Sequence, residues 1–110
     1  MSQSDLEREI LRPLWKVHIL HHASDGPIIG NWMLEELREH GYNVSPGTLY
    51  PMLARLCRLG WLAAVARKPA RARNRATHYK LTKSGHDALA EIQTRLSELQ
   101  REVFAPRRKT

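Results

Sequence analysis

Leu89, Ile92, Leu96, Leu99 and Val103 recur at intervals of three, four, three and four residues, between a threonine at position 82 and a proline at position 106. That spacing marks one face of a helix, and polar Glu91, Gln93, Arg95, Glu98 and Arg101 surround it. Thr82 suits the N-cap and Pro106 ends the run, so the helix is about 20 residues and roughly 30 Å long at 1.5 Å per residue. A chain of 110 residues builds one core, too small to cover such a helix from end to end. The seam Leu89, Ile92, Leu96, Leu99 and Val103 is therefore expected to pack against a second copy of the chain. Arg107-Arg108-Lys109 then forms a basic tail.

The N-terminal end carries a matching demand. Ser4-Asp5-Leu6-Glu7 has the form of a capping box, which predicts a helix starting there. Leu6, Ile10, Leu14, Val17 and Leu20 share one side of it, while Leu11, Trp15 and Ile19 form a second apolar stripe, so both sides call for burial and one of them for a partner. Leu11 and Trp15 are assigned to that interface. Pro13 removes one backbone donor and predicts a kink or restart near Arg12.

Between these helices the chain is punctuated. Asp25-Gly26-Pro27 is a stop, Gly30-Asn31 opens a short helix that Gly41 terminates, and Ser45 followed by Pro46 opens another that ends at Gly60. Trp61–Ala66 and Thr77–Leu81 read as two strands of a hairpin about 61–81. Five of the ten residues joining them are cationic, Arg67, Lys68, Arg71, Arg73 and Arg75. The pattern predicts a mainly α fold with a small β-hairpin: a winged helix-turn-helix with long N- and C-terminal dimerisation helices.

Charge narrows the partner. No Asp or Glu occurs between Glu39 and Asp87, yet nine Lys or Arg do, whereas the whole chain has 18 basic and 11 acidic residues. Positive charge gathered on one stretch attracts a phosphate backbone and releases its counterions. On a helical wheel, Leu49, Met52, Leu53, Leu56, Cys57 and Leu59 fall on one arc of the Ser45–Gly60 helix. Gly47, Thr48, Tyr50, Pro51, Ala54, Arg55 and Arg58 fall on the other. Small residues beside a hydroxyl, a phenol and guanidiniums suit a helix lying in the major groove. Ser45, Gly47, Thr48, Tyr50 and Arg55, with Arg67, Lys68, Arg71, Arg73 and Arg75 of the loop, are the expected DNA contacts. The loop cations position the protein rather than read bases. Pro51 is expected to distort this helix locally.

Other chemistries find no support. No nucleophile–base–orienter set, phosphate-cradling glycine loop or catalytic carboxylate pair can be assembled, so the chain is read as no enzyme. Cys57 is the single cysteine and reads as a small buried thiol. No apolar run approaches the ~20 residues a bilayer requires, and a polar N-terminus predicts a cytoplasmic protein with no membrane partner. His18, His21 and His22 sit at positions where two imidazoles share a helix face, but they also suit the negative end of a helix dipole, and the latter is preferred. No metal or cofactor is expected.

The run Gly41-Tyr42-Asn43-Val44-Ser45-Pro46-Gly47-Thr48-Leu49-Tyr50-Pro51-Met52-Leu53-Ala54-Arg55-Leu56, then Gly60-Trp61-Leu62 and Tyr79-Lys80-Leu81-Thr82-Lys83-Ser84-Gly85, resembles the PadR family of transcriptional regulators over about residues 10 to 90. The resemblance implies a homodimeric repressor whose recognition helix, here Pro46–Leu59, enters the major groove while the wing touches the adjacent backbone. The short C-terminal part is similar to the subclass with a single C-terminal helix, which packs on the partner's terminal helices. The family's Gly-Tyr before the second helix is Gly30-Asn31 here. Some drug-responsive relatives stack planar ligands between aromatics of the terminal helix; Leu96 stands at about that place.

Residues 1–82 are thus expected to form the DNA-binding domain, 83–105 the dimerisation helix and 106–110 the tail. The expected function is sequence-specific binding of double-stranded DNA by a homodimeric repressor. Its release would come from a small-molecule effector near Trp15 or Trp32 that changes how the long helices cross. The alternative is a winged-helix module that docks another protein in a larger assembly.

Overall fold

A computed structural model describes residues 2–66 and 77–106. The chain enters through α1 (Gln3–Leu6), a π-helical turn (Glu7–Leu11) and α2 (Arg12–Ser24), continues through β1 (Ile28–Ile29), α3 (Gly30–Glu39) and α4 (Pro46–Arg58), and closes with β2 (Leu62–Ala66), β3 (Thr77–Leu81) and α5 (Lys83–Val103). The cap of α1 is Ser2 rather than Ser4: Asp5 N–H donates to Ser2 Oγ at 3.2 Å, and the cap hydroxyl together with Arg8 holds the Asp5 carboxyl below its usual range. An aspartate three residues after a serine serves as well as the glutamate expected there. Pro13 does not break the rod. The wider turn just ahead of it, closed by the Arg12 N–H to the Glu7 carbonyl, absorbs the missing donor while Leu11 and Arg12 stay helical.

α3 and α4 end alike. At α3, Gly41 has φ +91°, with bonds from Gly41 N to the Arg38 carbonyl (2.9 Å) and from Tyr42 N to that of Leu37 (3.2 Å). At α4, Gly60 has φ +82°, with bonds from Gly60 N to the Cys57 carbonyl (3.0 Å) and from Trp61 N to that of Leu56 (3.1 Å). Both are Schellman closures, which need a glycine in the left-handed region. Leu59, assigned to the apolar arc by its wheel position, caps α4 and is 45% exposed. The departing chain turns the last residue out of the core. Pro51 lies inside α4 without ending it; the carbonyl it leaves unpaired belongs to Gly47, in the exposed first turn.

The sheet has three antiparallel strands in the order β1-β3-β2, one more than the expected hairpin. Ile28 pairs with Tyr79 and Ile29 with His78, while Leu62 to Ala66 pair with Leu81 to Thr77. Ile28, Leu62 and Leu81 send their side chains into a single core with Trp15, Ile19, Leu20, Met33, Leu37, Leu49, Leu53, Leu56 and Leu89. Cys57 is half-buried against that core, and burial pushes its thiol up.

A tight junction ties the sheet to α5. Thr82 Oγ1 accepts from Gly85 N–H at 2.9 Å and donates to the Gly60 carbonyl at 2.6 Å, while Thr82 N–H reaches the Trp61 carbonyl at 3.1 Å. Gly85 is buried here, and a Cβ on it would meet the Trp61 carbonyl and lie 2.5 Å from Leu81 Cδ1. The Tyr-x-Leu-Thr-x-x-Gly pattern thus joins the end of α4, the base of the hairpin and the start of α5.

Candidate nucleic-acid interface

Burying Leu49, Met52, Leu53 and Leu56 leaves α4 one orientation, with Ser45, Gly47, Tyr50, Pro51, Ala54, Arg55 and Arg58 outward and Thr48 half-buried. Ser45 adopts the extended N-cap backbone but makes no side-chain cap; its Oγ lies 3.2 Å from Thr48 Oγ1. Two hydroxyls therefore stand together at the positive end of the helix, where an anionic oxygen is favoured. Tyr50 is 43% exposed, and its ring closes over Gly30, where an added Cβ would lie 2.6 Å from Cε1. Gly30 is the floor beneath Tyr50, which explains a glycine at the start of α3. Asn31 beside it is exposed.

Arg55 and Arg58 do not stand alone. With Arg8, Arg12 and Lys16 from the N-terminal rod, and Thr48, Pro51 and Met52, they line a cleft of about 430 Å³ whose walls hold five cations and no acid. Arg12 lies 6.0 Å from the Trp15 ring, within cation–π range. Counting charge along the chain misses Arg8, Arg12 and Lys16, because Glu7 and Glu9 are interleaved with them. Their spacing of four was the available signal, since it gathers all three on one helix face. Arg67, Lys68, Arg71, Arg73 and Arg75 lie outside the described residues.

The residues assigned to dimerisation divide. Leu89 is 5% exposed and Ile92 is half-buried against the core, so they serve their own protomer; Leu11 is also half-buried. Leu96 is at the boundary at 36%, and Leu99 and Val103 stand out at 55% and 62%. Phe104, which the heptad spacing passes over, is exposed as well. Trp15 corrects the sequence reading twice. At 1% exposure, with its ring centroid 5.9 Å from that of Tyr42 and tilted 58° to it, it is core and presents no surface to a partner or effector. Ile19 of the same stripe is fully buried as well.

Trp32 borders a different cleft of about 300 Å³ with Asp25, Pro27, Ile28 and Ile29, which Trp15 does not line. A more apolar cavity of about 340 Å³ opens between α2 and α5, walled by Leu14, Val17, Tyr42, Leu89, Gln93 and Leu96, and lined also by His18 and His21. No helix of the described residues is long and apolar enough to cross a membrane.

Comparison with known proteins agrees with this geometry. Residues 19–91 match the model of the Transcriptional regulator PadR-like family. The chain is 47% identical over 98 residues to Transcriptional regulator Rv3488 of Mycobacterium tuberculosis, covering 88% of this chain and 89% of that one. The fold is similar to a PadR-like transcriptional regulator from Bacillus cereus, with a TM-score of 0.76 at 22% identity over 86% of this chain and 92% of the other. It is similar also to a putative transcriptional regulator from Thermoplasma acidophilum, with a TM-score of 0.74 at 20% identity over 86% and 90%. A winged helix with this α4 and this thread of matching sequence is a DNA-binding regulator, and the chain belongs to the PadR-like family of transcriptional regulators.

Proposed function

We infer that the protein is a homodimeric repressor that binds a palindromic operator through two copies of α4 and is released by a small molecule. The observation that carries this reading is the pairing of two surfaces. One is the cleft where Arg8, Arg12, Lys16, Arg55 and Arg58 surround the outward arc of α4. The other is the apolar stripe of Leu96, Leu99 and Val103, which the protomer leaves exposed. Residues 1–82 serve as the DNA-binding unit and 83–105 as the dimerisation helix. Ser45, Gly47, Thr48, Tyr50 and Arg55 face base edges and nearby phosphates, while Arg8, Arg12 and Lys16 add backbone contacts alongside the loop cations.

Effector release follows from geometry. Two recognition helices must meet half-sites about 34–36 Å apart, or a multiple of that. A compound entering the apolar cavity between α2 and α5 wedges the helix that carries the dimer stripe, and a displacement of a few ångströms puts the two α4 helices out of register. The deciding experiment is selection of bound duplexes from a random pool, followed by titration of the selected palindrome against salt. Affinity should fall with a log–log slope near −0.9 per phosphate neutralised, and the preference for the palindrome should persist. Equal binding of every duplex, or a monomer at micromolar concentration, would refute the reading.

A further inference from the structure

Four side chains that the DNA-binding surface does not use converge between α2 and the end of α3. The ligating atoms of His18, His22 and His40 all lie within 4.8 Å of one another. Glu36 stands among them, with Oε1 3.5 Å from His22 Nε2 and 3.5 Å from His40 Nε2. His18 and His22 are one helical turn apart on α2, while Glu36 and His40 are one turn apart at the end of α3. Each helix therefore offers a pair at the spacing that lets two side chains grip one ion.

We propose that His18, His22, His40 and Glu36 form a four-ligand site for a divalent transition metal of the zinc class, bridging α2 to the C-terminal end of α3. The distances favour a metal over a hydrogen-bonded cluster. Separations of 3.5 Å exceed the usual N–H···O range, whereas bonds of 2.0–2.1 Å in a tetrahedron set ligand atoms about 3.4 Å apart. Two contacts to Glu36 already have that length, and the ligating atoms of the three imidazoles lie within 4.8 Å of one another. Three imidazoles and one carboxylate select zinc, cobalt, nickel or copper over magnesium and calcium, which require oxygen. Tyr42 supplies an outer partner, its hydroxyl 3.3 Å from His18 Nε2; outer groups of this kind orient a ligating imidazole. Partial burial also suits the role: the His22 and Glu36 side chains are 18% and 23% exposed, shielded yet open to an entering ion.

A metal here ties the rod to the helix-turn-helix. Arg38 Nε donates to the Val44 carbonyl at 3.1 Å, pinning the link between α3 and α4. An ion held by both α2 and α3 therefore restrains α4 relative to the helix that packs on α5.

The test uses the full chain, stripped with a chelator and titrated with Co²⁺, whose visible d–d bands report four-coordinate geometry. One Co²⁺ per protomer with those bands, displaced by Zn²⁺, is expected. His40→Gln and Glu36→Gln should each weaken binding about tenfold or more, and Zn²⁺ should raise the unfolding temperature of the unaltered chain but not of His40→Gln. His40 is 45% exposed, so that variant should fold, as circular dichroism without metal would check. His21→Gln separates this site from the neighbouring His21, His22 and Asp25 and should leave binding unchanged. Absence of bound Co²⁺ in the unaltered chain, an unchanged Co²⁺ affinity in His40→Gln, or loss of binding in His21→Gln would each overturn the proposal.

Discussion

Replacing Gly85 with alanine sets two effects of opposite sign against each other. Alanine is the better helix former by about 1 kcal/mol, and Gly85 lies in the first turn of α5. Against this, the new methyl meets the backbone carbonyl of Trp61 and lies 2.5 Å from Leu81 Cδ1, where carbon atoms rest at about 3.5–4.0 Å. A leucine methyl can rotate away, but a carbonyl in the α4–β2 connection cannot. The start of α5 must withdraw by about 1 Å to restore contact distance. That movement stretches the bonds of Thr82 Oγ1 to Gly85 N–H (2.9 Å) and the Gly60 carbonyl (2.6 Å). Overpacking of this kind costs about 1–3 kcal/mol, and a weakened cap adds about 1 kcal/mol. The net loss is about 2 kcal/mol once the propensity gain is subtracted. At about 4–8 °C per kcal/mol for a domain of this size, the midpoint should fall by roughly 10 °C. Thermal unfolding followed by circular dichroism at one fixed chain concentration measures it, since the proposed dimer would make the midpoint depend on concentration. An unchanged or raised midpoint would show that α5 slides freely and that the tight junction has no energetic weight.

Other consequences can be checked separately. Arg55→Ala should weaken operator binding by about 1–3 kcal/mol and relax base preference. Arg12→Ala or Lys16→Ala should lower affinity for operator and random duplex alike and reduce the salt slope by about 1; equal losses on both duplexes for Arg55→Ala would remove it from base reading. Leu99→Glu places a carboxylate on the exposed stripe of α5, so sedimentation should show monomer while helicity stays unchanged, and a persisting dimer would move the interface elsewhere. Gly30→Ala displaces the Tyr50 ring and should reduce operator affinity more than it reduces stability, which parallel binding and melting curves would separate. Cys57, with its thiol pushed up by burial, should react with a disulfide reagent at pH 8 more slowly than free cysteine, and denaturant should abolish the difference.

Much of the architecture was legible because its signals are local. Ser45-Pro46, Thr82, Gly41 and Gly60 mark helix ends by their own backbone chemistry, and the two arcs of α4 follow from a period of 3.6 residues. β1 was not legible: Ile28–Ile29 makes too short a segment to declare itself, and it is a strand only because β3 lies alongside. Ser2 displaced Ser4 as the cap because the two candidates stand two residues apart and either has an acid three residues later. For the candidate site, the outward arc of α4 could be read from periodicity. The contributions of Arg8, Arg12 and Lys16 could not be read from net charge, since nearby glutamates cancel them along the chain but do not line the cleft.

By itself the sequence determined where helices begin and end, that one amphipathic helix turns a basic arc outward, and that the last helix is longer than its protomer can cover. Tertiary structure alone decided that Trp15 is core, that the seam divides at Leu96, that Tyr50 rests on Gly30, and that His18 and His22 meet Glu36 and His40. Each of the first set depends on the covalent neighbours of a residue, which the sequence supplies directly. Each of the second depends on which face of an element meets another far along the chain, and that is settled only when all the apolar faces are buried together.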